Sequence, residues 1–192
     1  MKNILLLLTM LFTCSILIAQ TEYEPSKENP YGLPNPNAPT EIKDYQPMIG
    51  VCDCKSIRRG SAGNWADSVD MTWEFKYIMN GTGVQDQTIK VDGIHSGSIR
   101  QYNADSSKWY VHYYSSASAT PTLSSWEGGK IGDNIILYKE QKAPNGMDGF
   151  YKITFKDITE NGFNWLGEWV TLDESFKYPT WKIYCKKRKV NE

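Results

Sequence analysis

The chain has 192 residues with 21 basic and 22 acidic side chains, and 40% of its residues are apolar. A formal net charge of -1 provides no long-range positive field for nucleic acid or anionic lipid headgroups, which argues against nucleic acid as a partner. The mean hydropathy of -0.51, with a single long apolar run at the N-terminus, excludes a polytopic membrane protein. Length and composition are those of one ordinary domain.

The N-terminus predicts a secretory signal peptide over residues 1–19. Lys2 precedes an apolar stretch from Ile4 to Ile18, and the small residue Ala19 offers a cleavage point. About fifteen apolar residues are fewer than the roughly twenty of a membrane-spanning helix. Cys14 is a poor lipoprotein site, because the two residues before it do not match a lipobox. The sequence therefore predicts a periplasmic or secreted protein, not integral to the membrane, whose mature chain starts at Gln20.

Two regions with different compositions follow the signal peptide. Residues 20–44 mix prolines with Asn, Glu and Ser and hold few aliphatic side chains. Such a stretch cannot bury enough apolar surface to offset its ordering entropy, so we expect a flexible or polyproline-like leader. Residues 45–190 are long enough to enclose one core and form the predicted folded domain.

Short runs of alternating apolar and polar side chains fill the predicted domain, and no 3.6-residue period is sustained. The clearest run places Met71, Trp73, Phe75 and Tyr77 on one face of a strand. Predicted strands cover residues 48–57, 71–79, 84–91, 94–102, 108–115, 122–127, 134–140, 149–158, 162–172 and 180–188. About ten antiparallel strands must close on themselves or split into two sheets. We predict an all-β fold, a single antiparallel up-and-down β-barrel.

Four segments also carry a family resemblance: Trp73–Gln87, Ser98–Val111, Phe150–Trp169 and Thr180–Arg188. Their pattern is an aromatic strand ending in an Asn-Gly turn, an Arg-x-Tyr-Asn strand before a Lys-Trp strand, a Thr-Phe…Phe-x-Trp hairpin and a closing basic strand. This pattern resembles a family of uncharacterised, often secreted bacterial proteins that are similar to lipocalin-like (calycin) barrels.

The resemblance implies a barrel with an interior cavity and, for the wider barrel group, an apolar small molecule or haem as the ligand. Haem-binding relatives place an axial His late in the barrel. Here the strands from Phe150 onward contain no His. No cofactor is therefore predicted.

Three cysteines remain once Cys14 leaves with the signal peptide. In an oxidising compartment the simplest outcome is one disulfide and one free thiol. Cys52 and Cys54 share one face of the first predicted strand, and Cys185 lies in the last, which neighbours the first strand in a closed barrel. Cys185 can pair with Cys54 or with Cys52, and the spacing leaves both open. No Cys-x-x-Cys or paired Cys/His motif is present, so no metal site is predicted.

Few side chains in the sequence are candidates for catalysis. His95 and His112 are the only imidazoles, and no Gly-x-Ser-x-Gly elbow accompanies them. Glu168 lies between Trp165 and Trp169 and could orient a polar ligand group if its face is inward. These residues favour binding over catalysis, and we assign no catalytic residue.

Aromatic side chains are the remaining signal, because those on separate strands can converge inside a closed barrel. Among apolar walls, the guanidinium of Arg100 could pair with a ligand carboxylate. The candidate ligand-binding residues are Trp73, Tyr77, Arg100, Tyr102, Trp109, His112, Trp165 and Glu168.

The predicted function is non-catalytic binding of a small apolar or amphipathic molecule inside the barrel. Two alternatives stay open at this point. One is a cell-envelope interaction protein whose barrel is filled by its own side chains, and the other is an enzyme in which His112 or Glu168 acts. The sequence carries no signal for the oligomeric state.

Overall fold

The alternating segments form ten strands in the structure, a computed structural model that describes residues 21–189. Residues 1–20, which include the predicted signal peptide, and residues 190–192 lie outside the described residues. The strands are β1 (Gly50–Arg58), β2 (Val69–Ile78), β3 (Gly83–Lys90), β4 (His95–Asn103), β5 (Lys108–Ser115), β6 (Ser124–Ile131), β7 (Asn134–Glu140), β8 (Gly149–Thr159), β9 (Gly162–Thr171) and β10 (Lys177–Lys187).

Each strand pairs antiparallel with its neighbours in the chain, and β1 pairs with β10 to close the barrel. The predicted all-β up-and-down barrel is confirmed. The short links between strands explain the order, because tight turns can join only antiparallel neighbours.

The register between β1 and β10 determines which cysteines form the disulfide. Cys54 lies directly opposite Cys185 in the strand register, and the two are bonded, which confirms a Cys54–Cys185 pair. Cys52 lies opposite Lys187 and keeps a buried free thiol, whose pKa burial raises to about 11. The bond links β1 and β10 across a sequence separation of 131 residues.

One end of the barrel is closed by a 3-10 helix, Thr40–Met48, which packs against β3, β8 and β9. Its apolar residues Ile42, Tyr45 and Met48 are buried in the barrel core. The sequence places the start of the domain at Tyr45, whereas the structure already buries Ile42, within the segment interpreted as a leader.

Residues before this helix contact the turn between β2 and β3. The amide of Tyr23 donates to Asn80 Oδ1 at 2.9 Å, and the amide of Asn35 donates to the carbonyl of Gly81 at 3.1 Å. Gly81 has a φ of 76°, and a Cβ there would lie 2.4 Å from the carbonyl oxygen of Leu33. Glycine is therefore required where the two segments meet.

The strand directions define the two ends of the barrel. β1 begins beside the 3-10 helix, so odd-numbered strands run away from this closed end and even-numbered strands return to it. The opposite end, here called the open end, carries the loops 59–68, 91–94, 116–123, 141–148 and 172–176. No helix between residues 21 and 189 has the length and apolar character needed to cross a bilayer.

Candidate functional site

A cavity of about 480 Å³ occupies the half of the barrel interior nearer the open end. It forms because small polar residues at inward positions of β3 and β4, such as Thr88, Ser96 and Ser98, leave space between the larger rings of the other strands. Its walls combine polar and aliphatic residues with aromatic rings from six strands: Trp73, Tyr113, Trp126, Tyr151, Phe155, Trp165 and Trp181.

A buried ion pair lies among the residues that line the cavity. Arg100 Nη1 donates to Asp86 Oδ2, and the side chains of both residues are 3% exposed. Trp73 Nε1 donates to the other carboxylate oxygen of Asp86 at 3.1 Å. Asp86 and Arg100 come together because β3 and β4 are paired and both residues occupy inward positions of their strands. The carboxylate thus has a partner on each oxygen.

The charge of Arg100 is further balanced by aromatic rings. Its guanidinium carbon lies 5.1 Å from the ring centroids of both Tyr45 and Phe75, which is cation–π distance. Burial acts to lower the pKa of Arg100, but the electrostatic and hydrogen-bond interactions with Asp86 and Tyr45 together outweigh it and raise the pKa above its ordinary value. Arg100 is therefore a fixed cation, already paired within the protein.

The open end of the cavity is cationic. Arg58 ends β1, Arg59 follows it, and Lys90 ends β3, so strand direction brings all three to this end. Beside them on β10 lies Trp181, whose Nε1 donates to Ser56 Oγ at 2.8 Å.

The cavity receives three of the eight candidate residues, Trp73, Arg100 and Trp165. Three others also face inward but lie toward the closed end, outside the cavity. Tyr77 and Trp109 are buried in the packed core, and Tyr102 packs edge-on against Trp109 with ring centroids 5.6 Å apart. Trp109 Nε1 donates to Asp44 Oδ2 at 3.1 Å, and burial raises the pKa of Tyr77 to about 12. These three residues belong to the packed region between the cavity and the closed end.

The remaining two candidates are also outside the cavity. His112 alternates with the inward residues Val111 and Tyr113, and its Nδ1 lies 2.8 Å from Ser125 Oγ. Glu168 is buried but lies out of phase with Trp165, and the residue opposite it in β8 is Lys152. Neither His112 nor Glu168 is among the residues that line the cavity.

Several polar wall residues were not among the candidates, most of them on β3 and β4. Thr88 Oγ1 lies 2.6 Å from Ser96 Oγ on the neighbouring strand, and both residues line the cavity beside Asp86. The signal was present in the sequence Val84-Gln85-Asp86-Gln87-Thr88-Ile89-Lys90, where alternate residues share one face. Polar residues at inward positions are unusual enough to mark a lined cavity.

The described residues offer no assembled metal or haem ligands. Between residues 21 and 189, no three His, Cys, Asp or Glu side chains group as metal ligands. The described residues that line the cavity include no His. These walls therefore offer no imidazole to serve as the axial ligand expected of haem-binding barrels.

Comparison with known proteins gives a likeness of fold. No model of a known protein family matches the chain. No curated protein matches it either. Among solved structures, it is similar to the crystal structure of Rv2717c from M. tuberculosis, with a TM-score of 0.53 and 9% sequence identity. The match covers 80% of this chain and 100% of that chain. At this identity the likeness supports the barrel fold alone.

Proposed function

We propose that the barrel binds a small apolar or amphipathic molecule in its cavity without transforming it. The observation that carries the proposal is the cavity itself. Its volume of about 480 Å³ falls in the range of roughly 300–1,000 Å³ typical of small-molecule sites. Aromatic walls with a few polar groups are the usual lining of such sites.

The volume and the lining of the cavity favour binding over the two alternatives. A scaffold barrel filled by its own side chains would have no such volume at its open end. An enzyme that uses a carboxylate as acid or base would need it free, whereas the one carboxylate among the described lining residues, Asp86, is held by Arg100 and Trp73. In this proposal Trp73 and Trp165 contact the ligand, and Arg100, paired with Asp86, forms the polar inner end of the cavity.

The proposal includes a periplasmic or secreted location. A disulfide that joins β1 to β10 is typical of proteins that fold in an oxidising compartment. The charged and apolar pattern of residues 1–19 supports the same location.

The direct test is native mass spectrometry of the mature chain purified from its own secretory compartment. We expect an excess mass that is released on denaturation, or a gain in mass on incubation with decanol. A bare polypeptide that gains nothing from decanol, decanoate or decyltrimethylammonium would overturn the proposal.

A pair of matched variants assigns the binding to the cavity. Ile153 lines the cavity, whereas Ile136 on β7, which lies opposite Thr154, does not. We expect Ile153→Trp to fill the cavity and weaken decanol binding at least about tenfold, and Ile136→Trp to leave it unchanged. Equal binding by both folded variants would place the ligand outside the barrel.

A further inference from the structure

The charges of the cavity lining are unbalanced. Its cationic residues are Arg58, Arg59, Lys90 and Arg100, and its anionic residue is Asp86. Because Asp86 is held by Arg100, no carboxylate among the described lining residues is left to pair with the three cations at the open end. Throughout residues 21–189, no carboxylate lies within ion-pair distance of these three. The whole chain has a net charge of -1, so the positive cluster is local.

Trp181 fixes two of these cations in place. The guanidinium carbon of Arg58 lies 3.8 Å from the Trp181 ring centroid, and Lys90 Nζ lies 5.5 Å from it. The indole is itself anchored by its hydrogen bond to Ser56. A cation–π contact orients a cation without neutralising it. Both charges therefore stay available to an anion at the mouth of the cavity.

Lys90 lies in an environment that disfavours its positive charge. Partial burial lowers the pKa of Lys90, the nearby charge of Arg58 lowers it further, and Asp92 only partly opposes them. Two like charges beside the same ring repel each other in a partly desolvated site. A bound anion would offset that repulsion.

The unpartnered polar atoms of the lining point to the same chemistry. Arg59 Nε, Arg100 Nε and Trp126 Nε1 are buried, and none has a hydrogen-bond partner in the described part of the chain. All three are donors, and all belong to residues that line the cavity. Buried donors without acceptors are costly, and Arg59 Nε, which lies at the open end, would gain an acceptor from a head group that brings oxygens there.

We infer that the ligand is a single-chain amphipathic anion, whose apolar chain lies against the aromatic walls and whose carboxylate or phosphate group lies between Arg58 and Lys90 at the open end. This inference rests on the proposed function and adds the chemical class of the ligand. Arg59 contributes positive charge at the same end, held over the rings of Trp65 and Tyr178 at 4.9 and 4.6 Å.

The test compares probes that share one chain and differ in the head group. Decanoate, decyl phosphate, decanol and decyltrimethylammonium are titrated into the disulfide-intact mature chain below their micelle concentrations, with calorimetric detection. We expect both anions to bind about tenfold or more tightly than decanol, and the cation to bind weakest. The preference for anions should shrink as salt is added.

Charge-removing variants then locate the head group. Lys90→Met keeps the apolar stem and removes the charge, and Arg58→Gln removes the other. Each should reduce the ratio of decanoate to decanol affinity about fivefold, with decanol binding nearly unchanged. The matched control is Lys76→Met on β2, since Lys76 does not line the cavity.

The outcomes separate the two proposals. Equal affinity for decanoate and decanol in the wild type overturns the anionic ligand and leaves the proposed function standing. Loss of affinity in Lys76→Met as large as in Lys90→Met overturns the assignment to the mouth. Binding of phosphatidylglycerol vesicles, abolished by Lys90→Met and without decanoate binding, would assign the cations to a membrane surface instead. No binding of any probe rejects the proposed function, and this inference with it.

Discussion

The two halves of the barrel interior are built from the same strands but packed differently. At the closed end, Tyr45 contacts the rings of Phe75, Trp109 and Phe155 at centroid distances of 6.4, 4.9 and 6.0 Å. At the open end, rings still contact one another, such as Trp165 and Trp181 at 5.0 Å, but they lie on the walls around a cavity. Because only the closed half is packed through its centre, we expect it to supply most of the stability of the barrel.

The largest expected effect tests this division of roles. Phe75 is fully buried in the closed half, so Phe75→Ala should cost about 3–5 kcal/mol of unfolding free energy. Tyr113 is half-buried at the cavity wall, and Tyr113→Ala should cost about 1 kcal/mol. Urea unfolding followed by circular dichroism measures both. Similar losses at the two sites would mean that the halves contribute equally to stability.

The ion pair at the boundary of the two halves gives the next effect. Asp86→Asn keeps the shape of the side chain but leaves the charge of Arg100 buried and unpaired, which should cost about 3 kcal/mol. The double variant Asp86→Leu with Arg100→Met removes both charges and should cost less than the single change. The same urea experiment checks the order. A single variant as stable as the double would show that the charge of Arg100 is not desolvated.

The fold was predictable because it rests on local patterns. Alternation along β2 identified the inward face, and the Asn80-Gly81 turn marked where that strand ends. Closure of the barrel predicted a disulfide from Cys185 to either Cys52 or Cys54, but the choice of Cys54 needed the strand register.

The site was less predictable, because a period of two gives the face of a strand but not the height along the barrel. Trp73 and Tyr77 share one face of β2, yet only Trp73 reaches the cavity. The partner of Arg100 was also hidden, since Asp86 is 14 positions away along the chain and meets it only across the β3–β4 pairing. The 3-10 helix has a Pro within it and followed no clear helical period.

The smallest expected effect is a difference in pH response between the halves. In the β9–β10 turn at the open end, burial opposes the ionisation of Glu174. Hydrogen bonds from Lys152 at 2.6 Å and Tyr138 at 2.5 Å outweigh it and lower the pKa of Glu174 to about 2. At the closed end, burial raises the pKa of Asp44 despite its hydrogen bond from Trp109.

The signs of the two responses are therefore opposite. Because its folded pKa is lowered, ionised Glu174 stabilises the fold above about pH 4.5, and this stability is lost as pH falls toward 2. Glu174→Gln should cost below about 1 kcal/mol at pH 7 and nothing near pH 2. Asp44 has a raised pKa, so the wild type should gain stability relative to Asp44→Asn on acidification. Urea unfolding of the three proteins between pH 7 and pH 2 measures both trends, and parallel curves would contradict this opposition because the fold would then not distinguish the two carboxylates.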